Sequence, residues 1–289
     1  MLFFLKINLR DKNLPGKAFS ILIVFLAILV FYACSGVSPQ NDPEKQERKI
    51  VFDNQIQSIT EWKSSFFAGV KQKEFPVHFR KFDKTGLLKN EVLFTHDSLP
   101  DSFVSYWYNT SDNMDSCIAL NADSSLLYRV VILYNEKGRR RDYYFYLPDG
   151  SYKYRNVSTY DDTGKLKELS WYWPDGFKAK NVYEYKQDRL IKDTEFGPGG
   201  EFRYRWDHNY DASGNKILSI QTYPDDKVTS RIEYNYNASG QLIEEVHLNG
   251  TEFQSRTAYH YDSKGLLSAK EEMSASGRII SASRFEYKK

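Results

Sequence analysis

The sequence predicts an all-β fold: an antiparallel β-meander of tandem two-strand repeats, curled or spiralled around its aromatic face, with a small β-propeller as the alternative. Three observations carry this reading. Aromatic residues make up 16% of the 289 residues, with 22 Tyr and 19 Phe, and such side chains favour strands over helices. A short turn signature recurs at intervals of 25 or 26 residues. The segment before each copy alternates apolar and polar residues with a period of two.

The N-terminal segment comes first and is of a different kind. Lys6, Arg10, Lys12 and Lys17 precede an apolar run from Ala18 to Ala33, which ends Phe-Tyr-Ala before Cys34. A run of 16 residues suits the core of a signal peptide and falls short of the roughly 20 a membrane-spanning helix needs. The sequence around Cys34 resembles a lipobox of the looser Bacteroidota form, with Phe31 and Tyr32 where a standard box has Leu and a small residue. The resemblance implies cleavage after residue 33 and acylation of Cys34, and acyl chains of this kind hold a protein to a membrane. Only one other cysteine exists, Cys117, so an exported chain lipidated at Cys34 needs no disulfide. Residues 34–49 then read as the lipidated cysteine and a flexible polar tether containing two prolines. Ser35 is not the Asp associated with inner-membrane retention, which points to the outer membrane of a cell envelope.

The remaining segment, 50–289, carries the repeat. Its signature is an aromatic, Asp or Asn, two variable residues and Gly, as in Phe82-Asp83-Lys84-Thr85-Gly86 and Tyr160-Asp161-Asp162-Thr163-Gly164. The lead aromatics run from Phe82 through Tyr108, Tyr134, Tyr160, Tyr185, Tyr210, Tyr236 and Tyr261 to Tyr287, and an irregular copy is expected at Phe52-Asp53. A second turn falls midway, as in Pro148-Asp149-Gly150 and Asn249-Gly250. Asp or Asn opens such turns by bonding its own backbone, Pro pre-sets φ, and Gly supplies the left-handed residue that closes a hairpin. Each repeat is therefore two strands and two tight turns. Phe202, Tyr204, Trp206, His208 and Tyr210 share one face of a strand whose other face is Arg203, Arg205, Asp207 and Asn209. The strand after each Gly is less regular; in Leu242–His247 neither face is purely apolar. Connections this short force sequential antiparallel pairing. A sheet of 16–18 strands does not stay open and flat, so it must curl around its aromatic side. The charged outer faces argue against a lipid-facing barrel.

The pattern Tyr-x-Tyr-Asp-x-x-Gly-x-Leu, seen at Tyr234/Tyr236/Asn237/Gly240/Leu242 and Tyr259/Tyr261/Asp262/Gly265/Leu267, resembles the YD repeats of the Rhs family. Residues 55–62 resemble the start of YD-repeat lipoproteins of Bacteroidota. The resemblance covers roughly residues 50–289. It implies a β-repeat shell and a link to carbohydrate binding, and it names no catalytic residue.

Composition narrows the function further. With 40 basic and 38 acidic residues the chain lacks the basic excess that nucleic-acid binding requires. The histidines, His78, His96, His208, His247 and His260, show no metal-ligand spacing, and there is no Cys-x-x-Cys. His208 takes a slot that Tyr fills in other repeats, so it reads as a packed ladder residue, and Cys117 reads as a small core filler. No nucleophile elbow or phosphate loop is present, so no enzymatic activity, cofactor or metal is expected. The candidate ligand-binding residues are Trp171, Tyr172 and Trp173, aromatics next to a turn where exposed rings can stack on sugars. The expected role is a non-enzymatic envelope lipoprotein, membrane-bound through Cys34, whose β surface binds a glycan or an envelope protein. The alternative is a structural spacer or an accessory of an Rhs-type or secretion assembly.

Overall fold

The computed structural model describes residues 43–289, so Cys34 and the 1–33 targeting segment lie outside the described residues. An 11-residue helix, α1 (Pro43–Asp53), is followed by nineteen strands. The first five are β1 (Ser58–Phe67), β2 (Val70–Lys71), β3 (Phe75–Phe82), β4 (Leu88–Phe94) and β5 (Pro100–Tyr108). Next come β6 (Met114–Asn121), β7 (Leu126–Tyr134), β8 (Arg140–Tyr146), β9 (Tyr152–Tyr160) and β10 (Leu166–Trp173). Then follow β11 (Gly176–Lys186), β12 (Arg189–Phe196), β13 (Phe202–Tyr210), β14 (Lys216–Thr222) and β15 (Val228–Tyr236). The last four are β16 (Leu242–Asn249), β17 (Glu252–Tyr261), β18 (Leu267–Ser274) and β19 (Ile279–Lys288).

From β3 onward every strand pairs antiparallel with its sequence neighbour, as the short turns require. The sheet neither spirals nor splits into blades. β1 pairs with β3 on one side and with β19 on the other, so eighteen strands close into a barrel and β2 is a short spur on β1. Closure is the physical answer to the two raw edges that an open meander would leave.

Two features of the repeat become clear only in three dimensions. The first is a β-bulge after each signature turn. Tyr236 pairs with Leu242, yet Asn235 pairs with Glu244, which leaves Ile243 as the extra residue. The same shift occurs at Phe82, Tyr108, Tyr134, Tyr210 and Tyr261. An extra residue inverts the alternation beyond it. Leu242, Glu245 and His247 thus share the inner face, and the irregular pattern of that strand is explained. The second feature is the lead tyrosine itself. Tyr108 Oη donates to the Leu88 carbonyl at 2.7 Å, Tyr134 to Met114 at 2.5 Å, Tyr210 to Leu190 at 2.7 Å and Tyr287 to Leu267 at 2.8 Å. Each acceptor immediately precedes an extra bulge residue of the previous repeat. Phe82, the first lead aromatic, has no earlier repeat to bond and carries no hydroxyl. At Tyr185 the hydroxyl is buried without a partner among the described residues.

Repeat length follows hairpin length. Phe94 pairs with Pro100 across a five-residue loop, but Tyr172 pairs with Phe177 and Leu248 with Phe253 across four. Tyr185 likewise reaches Leu190 across four residues, with Gln187 and Asp188 both at positive φ. These three shortened hairpins account for the three 25-residue intervals. In the degenerate copy at Tyr108, Asp112 takes the left-handed slot at φ 60°, a conformation Asp tolerates better than most side chains.

Burial is uneven around the ring. From β5 to β11 the inner face is a close-packed core that includes Val104, Tyr106, Cys117, Val130, Tyr143 and Leu169. From β13 to β17 the inner face is polar and half-buried, carrying His208, Thr257, Tyr234 and Glu245. His208 belongs to this wall: its Nδ1 lies 2.8 Å from Ser219 Oγ, and burial pushes its imidazole down to about 3, so it is neutral.

Helix α1 corrects two expectations. Residues 43–49, read as flexible tether, are helical, and so is the expected irregular repeat at Phe52-Asp53. Pro43 at the first position and Glu44 in the first turn suit a helix start. The sequence looks like tether because its apolar residues are confined to Ile50, Val51 and Phe52, too few to show a helical period. Val51 nevertheless buries against Ile56, Ile59, Phe82 and Leu266. Glu47 pairs with Arg80, and Arg48 donates to the Thr85 carbonyl at 3.2 Å and to Asp112 at 2.8 Å. The helix is therefore seated on the end of the barrel that carries the signature turns.

Candidate functional site

The arrangement most suited to a ligand is on the outer face of β5–β10. Strand β8 ends Asp142-Tyr143-Tyr144-Phe145-Tyr146. Alternation turns Tyr143 and Phe145 into the core, where both are buried, and leaves Asp142, Tyr144 and Tyr146 on the outer face. Tyr144 and Tyr146 stack on one another at 6.0 Å, with planes 18° apart. Register carries the same row across the sheet: Trp107 opposes Ser116, Ser116 opposes Val131, Val131 opposes Tyr144, and Arg155 lies between Tyr144 and Tyr172. Trp107 is three strand spacings from Tyr144, about 14 Å, and is 45% exposed.

Arginines lock this row in place. The Arg155 guanidinium carbon lies 5.4 Å from the centre of the Tyr144 ring and 5.9 Å from that of Tyr172. Its Nε and Nη2 both donate to Asp142 Oδ1, at 2.9 and 2.5 Å. Arg141 Nε donates to Asp142 Oδ2 at 2.6 Å. Asp142 is only 2% exposed, so both its oxygens are satisfied beneath the arginines. Hydrogen bonding to Asp142 raises the already high pKa of Arg155. Arg129 stacks on Tyr146 at 4.8 Å. A guanidinium over an aromatic face is worth about 0.5–1 kcal/mol at an exposed site. Here its main effect is to hold the rings at fixed tilt. The result is a rigid shelf of aromatic edges and faces interleaved with cations.

The three aromatics expected to bind together are separated. All are half-buried. Trp171 faces inward, tilted against Tyr154 at 5.9 Å, and donates from Nε1 to Asn181 Oδ1 at 3.2 Å. Tyr172 faces outward and joins the row described above. Trp173 sits at the hairpin end with Lys178 Nζ 5.5 Å over its ring. Strand alternation forces Trp171 and Tyr172 to opposite faces. Residue spacing alone does not single out Tyr144, Tyr146 or Arg155. The signal that could have found them is the run Tyr143–Tyr146, because four consecutive aromatics must place two on the solvent side.

Inside the barrel, carboxylates are committed to neighbours. Glu91 accepts from Tyr106 and lies 3.0 Å from His78. Glu195 accepts from Tyr204 at 2.6 Å and Arg203 at 3.2 Å. Burial alone would raise Glu245, but bonds from His247 and Tyr259 outweigh it and hold the group below the usual carboxylate range. Asp193 differs. Burial pushes it up to about 6, helped by the nearby Glu195 and opposed by a 2.9 Å bond from Asn181. A carboxyl raised on folding lowers stability as pH climbs from about 4 to about 6 and keeps that penalty above. Asp193→Asn is therefore expected to stabilise the fold by about 1–3 kcal/mol at pH 7.5. The gain should fade toward pH 4, where the native carboxyl is already protonated. Urea denaturation at pH 4.5 and 7.5 checks this; an equal effect at both would place Asp193 in water.

No family model matches the chain, and no curated protein matches it. Solved structures of similar strand architecture do exist. One is a TcdB2-TccC3 structure, 14% identical, covering 73% of this chain and 13% of that one with a TM-score of 0.36. A second is the Photorhabdus luminescens Tc holotoxin pore, 14% identical, covering 71% and 12% with a TM-score of 0.36. A third is a porin-like protein from Bacteroides uniformis, 10% identical, covering 81% and 96% with a TM-score of 0.43. The chain thus spans about an eighth of the length of the toxin chains and nearly all of the porin-like one.

Proposed function

We propose that this protein is a non-enzymatic, lipid-anchored envelope protein that binds a glycan on the outer aromatic row of β5–β10. The observation that carries the reading is Arg155, clamped between Tyr144 and Tyr172 and bonded to the buried Asp142. Aromatic faces are electron-rich and attract the electropositive C–H face of a pyranose. Rings already held in place lose little side-chain entropy on binding, which is where preorganised sites gain affinity. The closed sheet supplies the rigidity, since the row crosses six strands of one continuous wall. Three interior acids support a role without catalysis, because Glu91 and Glu195 have both oxygens engaged by Tyr, His or Arg and Glu245 accepts from Tyr259 at Oε2. The lipobox-like Cys34 supports attachment to a membrane, and the repeat signature supports kinship with YD-repeat proteins.

The test uses the full-length protein in detergent against a panel of envelope and host glycans, read by tryptophan fluorescence. Saturable binding weakened at least tenfold in a Tyr144→Ala/Tyr172→Ala variant is expected. Equal affinity in that variant, or no binding by the native protein, would sink the glycan reading and leave the spacer role in its place. In parallel, Cys34→Ser should move the protein from the membrane to the soluble fraction; persistence in the membrane would show that the anchor is the apolar run itself.

A further inference from the structure

We infer that the glycan taken by this surface is acidic, bearing carboxylate or phosphate groups, and that Arg129 is the residue that captures the charge. The inference rests on the glycan reading of the β5–β10 face and goes on to name the substrate class. Three guanidinium groups, Arg129, Arg141 and Arg155, crowd the outer face around Tyr144 and Tyr146, and Asp142 is the acid set among them. Asp142 is consumed: Arg155 takes one oxygen and Arg141 the other, and the carboxylate is sealed from water. Arg129 is left over. Among the described residues no carboxylate lies against it; its one partner is the Tyr146 ring, 4.8 Å from the guanidinium carbon. Its strand neighbours in register are Ile118 and Tyr146, neither charged. It is exposed to solvent.

The contrast with other outer arginines sharpens the point. Arg205 pairs with Asp207 at 2.7 Å, Arg231 with Glu233 at 2.6 Å and Arg284 with Glu74 at 2.9 Å, each neutralised by its own neighbour. Arg129 is held over an aromatic face with its donor edge unspent. A guanidinium offers paired N–H groups in a plane that matches a carboxylate or a phosphate. A sugar packed against the solvent-facing edges of Tyr144 and Tyr146 would bring its ring substituents to that guanidinium edge. Steric placement comes from the rings and charge selection from Arg129.

The experiment titrates the full-length protein in detergent with polygalacturonate, a phosphomannan and the neutral glucan laminarin, each at low and at high salt. Binding to one or both acidic polymers, weakened by salt and reduced at least tenfold by Arg129→Gln, is expected, with laminarin bound more weakly. Which acidic polymer binds identifies the charged group as carboxylate or phosphate. Arg205→Gln, on the far part of the wall, should leave binding unchanged, and thermal unfolding of Arg129→Gln should lie within about 4 °C of the native protein. If laminarin binds as tightly as the acidic polymers, or Arg129→Gln binds them undiminished, the acidic assignment falls while the glycan reading stands. If none of the three binds and the Tyr144→Ala/Tyr172→Ala variant is equally silent on the wider panel, both fall.

Discussion

A chain ending at Gly277, without β19, is expected to lose its cooperative unfolding transition. The lost strand closes the barrel. It pairs with β1 over eight positions, from Ser58 opposite Lys288 to Ser65 opposite Ser281, and with β18 on its other side. Its removal uncovers two long strand edges at once, and unpaired edges recruit other chains. It also strips Phe285 and Tyr287 from the cluster around Val51, Ile59 and Phe82 that anchors the helix. Total stabilities of single domains are about 5–15 kcal/mol, and losing one of eighteen ring strands with its seam consumes most of that. Urea titration followed by tryptophan fluorescence, with size-exclusion chromatography beside it, gives the answer. A truncated chain that stays monodisperse and unfolds at the native midpoint would mean that β1 and β19 are free edges and the sheet is open.

The second large effect is at Gly86. It holds φ at +80°, a region that side chains rarely adopt, and a β-branched side chain least of all. A Cβ there would also come within 2.7 Å of the Arg48 carbonyl oxygen in α1. Backbone cannot swing aside as a side chain can, so Gly86→Val must lift the helix from the turn. The expected cost is about 2–4 kcal/mol, the sum of positive-φ strain and the lost seat of Val51. Gly138 provides the comparison: it has the same φ sign, at +70°, and open space around its Cβ direction. Gly138→Val should cost only the strain. Limited proteolysis should show cleavage near residue 50 in Gly86→Val and not in Gly138→Val. Equal stability of the two variants would mean that the helix does not rest on the turn.

Much of this architecture is legible in the sequence because its rules are local. The interval between Phe82 and Tyr287, the Asp-x-x-Gly turns and the alternation of Phe202–Tyr210 each depend on residues a few positions apart. They determine two strands per repeat, sequential antiparallel pairing and the inward side of the lead aromatics. Local rules also mark His208 and Cys117 as wall and core residues. The strand after each turn is opaque in sequence for a definite reason. A bulge inserts one residue, and the inner face of Leu242–His247 passes from Leu242 to Glu245 instead of continuing at Glu244. Apolar pattern alone does not show where the phase changes.

What tertiary structure decided is everything that depends on the sum of the repeats. Whether a meander of eighteen strands spirals, forms blades or closes depends on accumulated twist and stagger, and the seam between β1 and β19 joins residues more than 200 positions apart. The helix at 43–53 is set by a seat on the barrel end, since its own few apolar residues would not hold it folded. The outer row of Trp107, Tyr144, Arg155 and Tyr172 exists because register aligns residues from three separate repeats. Composition named the aromatics; only strand pairing determined that Trp171 turns inward while Tyr172 turns out to meet Arg155.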